Sequence, residues 1–365
     1  MKNEKFLILF LIIFLLLPLK NSQAAYHFSN YKGRPPIHVY GSATKVPAGL
    51  IPTQVKSFYN LPASGGDGTI AIIGAYDDKN IEKDLAAFNK EFSLAECTTL
   101  NGCLEKHKMA SSIKSNSGWA METTLDVEWA HAIAPGAKIL LVEAATPSGK
   151  NLLSAIDYAA GRKDASAISM SWGGAEFPEE LTLDSHFKSV SGAPFFASSG
   201  DSGAGASWPA SSPFVVGVGG TTVDLKNDGA FWRETAWSGS GGGISAYEKE
   251  PDFQNSYLIP KASGQRAIPD VSYNANPASG FSITRGGKWY VVGGTSAGAP
   301  QWAAIAALGN GLNISGLYSD KAGNDSGKYF RDIISGSNGD CGYYCDARKH
   351  YDYVTGLGSP MAQNF

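Results

Sequence analysis

Glycines crowd around one serine in the run Gly293-Gly294-Thr295-Ser296-Ala297-Gly298-Ala299-Pro300. An apolar stretch, Trp289 to Val292, leads into it, and a stretch of helical character, Gln301 to Leu308, leaves it. Glycine lets the chain turn sharply, so Ser296 is placed at a helix amino terminus, where unpaired backbone N–H groups stabilise an oxyanion. Pro300 suits a first helical turn. The chemistry such a turn supports is acyl transfer, with Ser296 as nucleophile. A plain serine cap with a proline behind it has the same residues, and the segment alone does not separate the two.

Two carboxylates stand four residues apart, Glu122 and Asp126, in a stretch of helical spacing over residues 118–134. That spacing puts both on one helix face. Like charges there oppose each other unless one carboxyl keeps a proton. A solvated acidic face is the commonest fate of such a pair, but Leu125, Val127 and Trp129 beside them point to a buried helix. Pro135-Gly136 ends it. A third carboxylate, Asp201, lies in Ser198-Ser199-Gly200-Asp201-Ser202-Gly203 after another apolar run. It suits an ordinary glycine turn as well as an active-site edge.

The elements that must hold these residues alternate in type. Apolar runs at Thr69 to Gly74, Ala137 to Ala144, Ala167 to Met170, Pro194 to Ala197 and Val215 to Val218 read as buried strands. Helical stretches such as Leu152 to Ala160 and Leu181 to Val190 separate several of them. Alternation of this kind predicts an α/β fold with a mostly parallel central sheet covered on both faces, its site at the carboxyl ends of the strands. Hydroxyl and glycine clusters fall at those ends: Ser171-Trp172-Gly173-Gly174, Ser198 to Gly203, and Gly219-Gly220-Thr221.

Composition narrows the setting. A charged start, Met1 to Lys5, precedes an apolar run, Phe6 to Leu19, and then a polar stretch ending Ser22-Gln23-Ala24-Ala25. This is the layout of a secretory signal cut after Ala24, and the run is shorter than the roughly 20 residues a membrane span needs. Secretion, with no stable membrane anchor after cleavage, is the expectation. Charged residues make up 17% of the chain, against about 25% in an average protein. No basic block marks a nucleic-acid partner. The four cysteines form two local pairs, Cys97 with Cys103 and Cys341 with Cys345. Export permits disulfides, and neither pair has the CxxC spacing of a zinc site.

The run Gly294-Thr295-Ser296-Ala297-x-x-Pro300 resembles both the subtilisins and the sedolisins, the serine-carboxyl peptidases. Subtilisins need a catalytic histidine normally followed by glycine, and none of the six histidines here precedes one. The sedolisin pattern Glu-x-x-x-Asp is met by Glu122 and Asp126. The resemblance covers about Leu50 to Pro360 and implies a subtilisin-like fold. It implies Ser296 as nucleophile, Glu122 as general base, Asp126 orienting Glu122, and a protonated Asp201 donating to the oxyanion. It further implies that Ser171, Gly173 and Gly174 line the edge that pairs with a peptide substrate, and that the glycines from Ser238 to Gly243 lie near the cleft. Protein or peptide substrates cleaved in acid follow from it. A silent binding protein on a peptidase scaffold is the alternative, and a structural wall protein would explain the glycines but not these motifs.

The family pattern also implies one calcium ion near the carboxyl end, at Asp332, Ile333 and Asp352, just before Thr355-Gly356-Leu357-Gly358-Ser359-Pro360. Arg348 and His350 stand where the pattern has glycines that give only carbonyl oxygens, which matters if either position needs positive φ. Residues 25–47 read as a short, poorly ordered leader before a peptidase domain over 48–365. That leaves no room for the long prosegment family members usually carry. The chain is then expected to fold unaided, to use a separate folding or inhibitory partner, or to need no restraint.

Overall fold

Ile70 and Ile72 face one hydrophobic core while Ala71 and Ile73 face another, and Ile139/Leu141 against Leu140/Val142 repeat the division. Side chains alternate across a strand, so a continuous apolar run is what a strand buried on both faces requires. These runs form the centre of an eight-stranded sheet in the computed structural model, which describes residues 27–309, 311–321, 326–362 and 365. The apolar run Phe6 to Leu19 and the cut site after Ala24 lie outside the described residues. Among the described residues no helix is long and apolar enough to cross a membrane.

The sheet runs in the order Leu104–Lys108, Lys138–Ala144, Thr69–Ala75, Ala165–Met170, Phe195–Ser198, Val215–Leu225 and Phe231–Ala236, with Val271–Asn274 also pairing with Val215–Leu225. Every pairing is parallel except that of Phe231–Ala236 with Val215–Leu225. The fold is therefore the α/β arrangement expected: a mostly parallel sheet with helices on both faces. Chain order reverses at Thr69–Ala75, where a parallel sheet opens a crevice at its carboxyl edge.

Two helices on one face position the chemistry. Ser117–Ile133 starts at Asn116, whose side chain accepts from Gly118 N at 3.0 Å and Trp119 N at 3.1 Å. Its residues from Glu122 to Ile133 are all buried, so the acidic pair is not on a solvated face. Trp129 fixes the helix by donating to Ser282 O at 3.0 Å. Gly298–Ala307 packs against it, and small residues along that helix permit the close approach.

Two expectations need correction. Leu181 to Val190 does not form a helix; only short 3₁₀ turns occur, at Pro178–Thr182 and Asp184–His186. The local backbone is captured by side chains instead: Glu180 accepts from Phe177 N and Ser212 donates to Asp184. The leader, from His27 on, is ordered rather than loose. Residues 32–34 are paired with Ser148 on one side and Gly173 on the other, and His38–Thr44 forms an antiparallel strand against Lys288–Gly293. Both cysteine pairs are disulfides.

Candidate active site

The nucleophile turn follows the strand Lys288–Gly293 and opens the helix Gly298–Ala307. Gly294 has φ +130, and a Cβ there would strike the Pro36 carbonyl oxygen and the Asp201 carboxylate. Only glycine meets both demands. Thr295 beside it holds the turn to the Asp201 loop. Its N–H and its hydroxyl each donate to Asp201 Oδ1 at 2.8 Å, and its hydroxyl accepts from Gly200 N at 3.0 Å.

Ser296, Glu122, Asp126 and Asp201 come from three separate segments to one buried place. The Asp126 carboxyl lies close enough for its charge to act on the Glu122 carboxyl. Burial, then the neighbouring Asp126 charge, push Glu122 well above the usual carboxylate range. Burial likewise raises Asp126, while the Ser171 hydroxyl, donating to Asp126 Oδ1 at 2.6 Å, restrains the rise. With both groups raised, the pair favours protonated forms. Burial also raises Asp201, against the opposing hydrogen bonds of His38 and Thr295.

Ser171 sits differently from its place in the peptide-edge pattern. Its side chain bridges inward, to Asp126 and to Ser296 O at 3.2 Å, and so ties the acidic pair to the nucleophile turn. Gly173 does pair with an extended chain: Arg34 N donates to Gly173 O at 3.0 Å and Gly173 N to Arg34 O at 3.1 Å. Gly174 pairs with Trp208 and abuts the Tyr31 ring. In the Ser238–Gly243 loop, Gly241 donates to Gly200 O, placing that loop against the Asp201 segment.

Three participants were absent from the sequence reading. Thr295 stands inside the motif, and its role was readable only as a hydroxyl next to the nucleophile. Pro36 accepts from the Ser296 hydroxyl at 2.8 Å, and His38 Nε2 lies 3.0 Å from Asp201 Oδ2. Neither of these two carries a local signal. Neither Glu122 oxygen has a settled hydrogen bond in this state, because the serine proton is turned to Pro36.

At the carboxyl end, Asp332 Oδ2 accepts from His350 N at 2.9 Å and Asp352 Oδ2 from Arg348 N at 3.1 Å. The two carboxylates thus flank the 348–350 loop. Val354 N and Thr355 N donate to Asp352 Oδ1. Asp332 Oδ1 is buried without a partner, and Ile333 is buried beside Val354. His350 has φ +69, a conformation that glycine would adopt freely, so the substitution strains this corner of the loop.

Residues 109–315 match the subtilase family, and the parallel sheet with its serine-bearing turn is that of a subtilisin-like protein. The chain is 31% identical to kumamolisin from Bacillus sp. (strain MN-32) over 359 residues, covering 88% of this chain and 63% of that protein. It is 26% identical to sedolisin from Pseudomonas sp. (strain 101) over 348 residues, covering 84% and 59%. A solved structure of Pseudomonas sedolisin, described as a serine-carboxyl proteinase complexed with two molecules of pseudo-iodotyrostatin, superposes with a TM-score of 0.74 at 28% identity. That match covers 88% of this chain and 97% of that one. The chain belongs to the sedolisin family of subtilisin-like proteins. It spans about three fifths of the length of these two relatives.

Proposed function

We propose that this chain is a secreted serine-type peptidase that hydrolyses peptide bonds of proteins in acid, using Ser296, Glu122, Asp126 and Asp201. The observation that carries the reading is that the buried Ser171 hydroxyl ties Asp126, at 2.6 Å, to the Ser296 backbone oxygen, at 3.2 Å, so that Ser296 meets the buried Glu122/Asp126 pair, with Asp201 bonded to the same turn through Thr295. Ser296 Oγ attacks the substrate carbonyl carbon while its proton passes to Glu122. Negative charge gathers on the carbonyl oxygen, where the Ser296 N–H and a protonated Asp201 stabilise it. Glu122 then gives the proton to the leaving amine, and water resolves the acyl-enzyme by the same steps in reverse. Asp126, held by Ser171, keeps Glu122 oriented.

Acid suits this arrangement. Asp201 must stay protonated to donate to the oxyanion, and both acid and its burial favour that form. The direct test is hydrolysis of a denatured protein at about pH 4, with Ser296→Ala as control. Hydrolysis by the parent and none by the variant is the expected result. Equal activity in both ends the peptidase reading and leaves the silent binding protein.

We also place calcium at Asp332 and Asp352 with the Ile333 carbonyl. Support comes from the buried, unpartnered Asp332 oxygen and from two carboxylates facing one loop, oxygen donors that a hard divalent cation takes. Bound there, the ion would neutralise both carboxylates and pin the loop. Saturation at about 100 times Kd stabilises by about 2.7 kcal/mol. Chelation is therefore expected to lower Tm by roughly 5 °C or more, with recovery on adding calcium back and no calcium response in Asp332→Asn. An unchanged Tm together with no bound metal would reject the site.

A further inference from the structure

Four carboxyls meet behind one edge of the cleft. Gly174 and Ala175 pair with Trp208 and Ser207, and the Ser207 hydroxyl donates to Ser199 O at 2.7 Å, so this edge is continuous with the Asp201 segment. Gly173, Gly174 and Ala175 line a pocket of about 490 Å³ that Asp201 also lines. Glu176 follows directly, half-buried, and the strand Gly243–Lys249 grips it. Ser245 Oγ donates to Glu176 Oε1, and Ala246 N donates to Glu176 Oε2 at 3.0 Å. Glu180, fully buried, accepts from Phe177 N at 2.9 Å and from the Ser211 hydroxyl at 3.2 Å. Asp184 accepts from the Ser212 hydroxyl at 2.7 Å. Glu248 comes from the same strand as Ser245. It is 2% exposed, and its Oε1 is buried without a hydrogen-bond partner.

Among the described residues no spare cation answers this group. The Arg266 charge acts on Glu248, but its guanidinium is committed to Asp270 through two bonds, at 2.8 and 2.6 Å. Lys188 acts on Asp184 from an exposed position over the Phe214 ring. Glu179, on the same turn as Glu180, is matched by His27 at 2.6 Å, and Lys249 is exposed. Burial, then the Glu176 charge, push Glu180 up to about 9. Burial, then the Asp184 and Glu176 charges, push Glu248 up to about 8. In an open chain a glutamate titrates near 4.3. The closed arrangement therefore holds these protons more tightly than an open one. Its advantage is complete below about 4.3 and is lost as pH rises through the raised values.

We propose that Glu176, Glu180 and Glu248 form a proton-dependent latch that holds the edge Gly173 to Ala175 in place for substrate, and that ionisation of the latch frees this edge. That the edge receives substrate rests on the peptidase reading above; the latch does not. Ionised, the three carboxyls are like charges in one buried place. Parting residues 176–184 from the strand Gly243–Lys249 returns them to water and relieves the repulsion.

Hydrogen exchange reads the latch directly. The amides of residues 173–184 and 243–248, corrected for the intrinsic pH dependence of exchange, should be at least about tenfold less protected at about pH 8 than at about pH 5. Protection of Lys138–Ala144, in the centre of the sheet, should not change. Glu180→Gln and Glu180→Gln/Glu248→Gln put neutral amides of the same size in place of the carboxyls. In the double variant, protection at the two pH values should agree within about twofold, with the single variant between it and the parent. Equal protection at both pH values in the parent overturns the proposal. So does a loss that extends to Lys138–Ala144, or one that the double variant repeats in full. Hydrolysis gives a second reading: KM for a peptide substrate should rise about tenfold from about pH 5 to about pH 8 in the parent and less than about twofold in the double variant. The dependence of kcat on pH should persist in both, because Asp201 is untouched. No hydrolysis at any pH counts against the peptidase reading, and exchange then decides the latch by itself.

Discussion

Glu122→Gln is expected to lower kcat on a peptide substrate by about four orders of magnitude or more in acid, and Ser296→Ala by about six, with the double variant no worse than the poorer single one. The non-additivity is the sharper part. A nucleophile and its base act as a unit, so once one is gone the other has nothing left to do. Glutamine keeps the size and shape of Glu122 but cannot take up the serine proton. The carboxyl it replaces is buried and pushed towards its neutral form, so a neutral amide should leave Tm unchanged or higher. A fall in kcat at constant Tm therefore reads chemistry rather than folding. A Glu122→Gln protein within tenfold of the parent would remove the carboxylate base. His38 is the rival, being a histidine beside the turn. It faces Asp201 and not Ser296, so His38→Ala is expected not to lower kcat.

The residues of this unit were legible because their signals are local. The nucleophile turn lies within eight consecutive residues, and the Glu122/Asp126 pair shows itself by a spacing of four with apolar neighbours. Buried parallel strands announce themselves as apolar runs, and so most of the sheet could be drawn in advance. What failed depended on distant partners. The leader carries Gly33, Pro35 and Pro36, and it read as loose. Its order comes from Pro147, Gly173 and Gly293, all more than 110 positions away in the chain. Helical spacing at Leu181 to Val190 lost to side-chain bonds from Glu180 and Ser212 that no periodicity encodes. Ser171 was placed at the peptide edge because its neighbours Gly173 and Gly174 lie there. Its bond to Asp126 spans 45 positions.

Asp201 gives the second large effect. Asp201→Ala is expected to lower kcat by about two to three orders of magnitude, the usual result of deleting one oxyanion donor. An unchanged kcat would sink the assignment. Asp201→Asn separates the donor from the charge. A carboxyl donates only while protonated. Burial raises Asp201 above its ordinary value, so it is neutral at lower pH and loses its proton, and its donor role, as pH rises through that raised value. Asparagine donates at every pH, and its oxygen still accepts from Thr295. The variant should then keep kcat within about tenfold of the parent in acid, and the fall on the alkaline side should move up by about one pH unit or more. A pH profile identical to the parent's would mean that some group other than Asp201 sets the alkaline limb, leaving the acid preference to the Glu122/Asp126 pair alone.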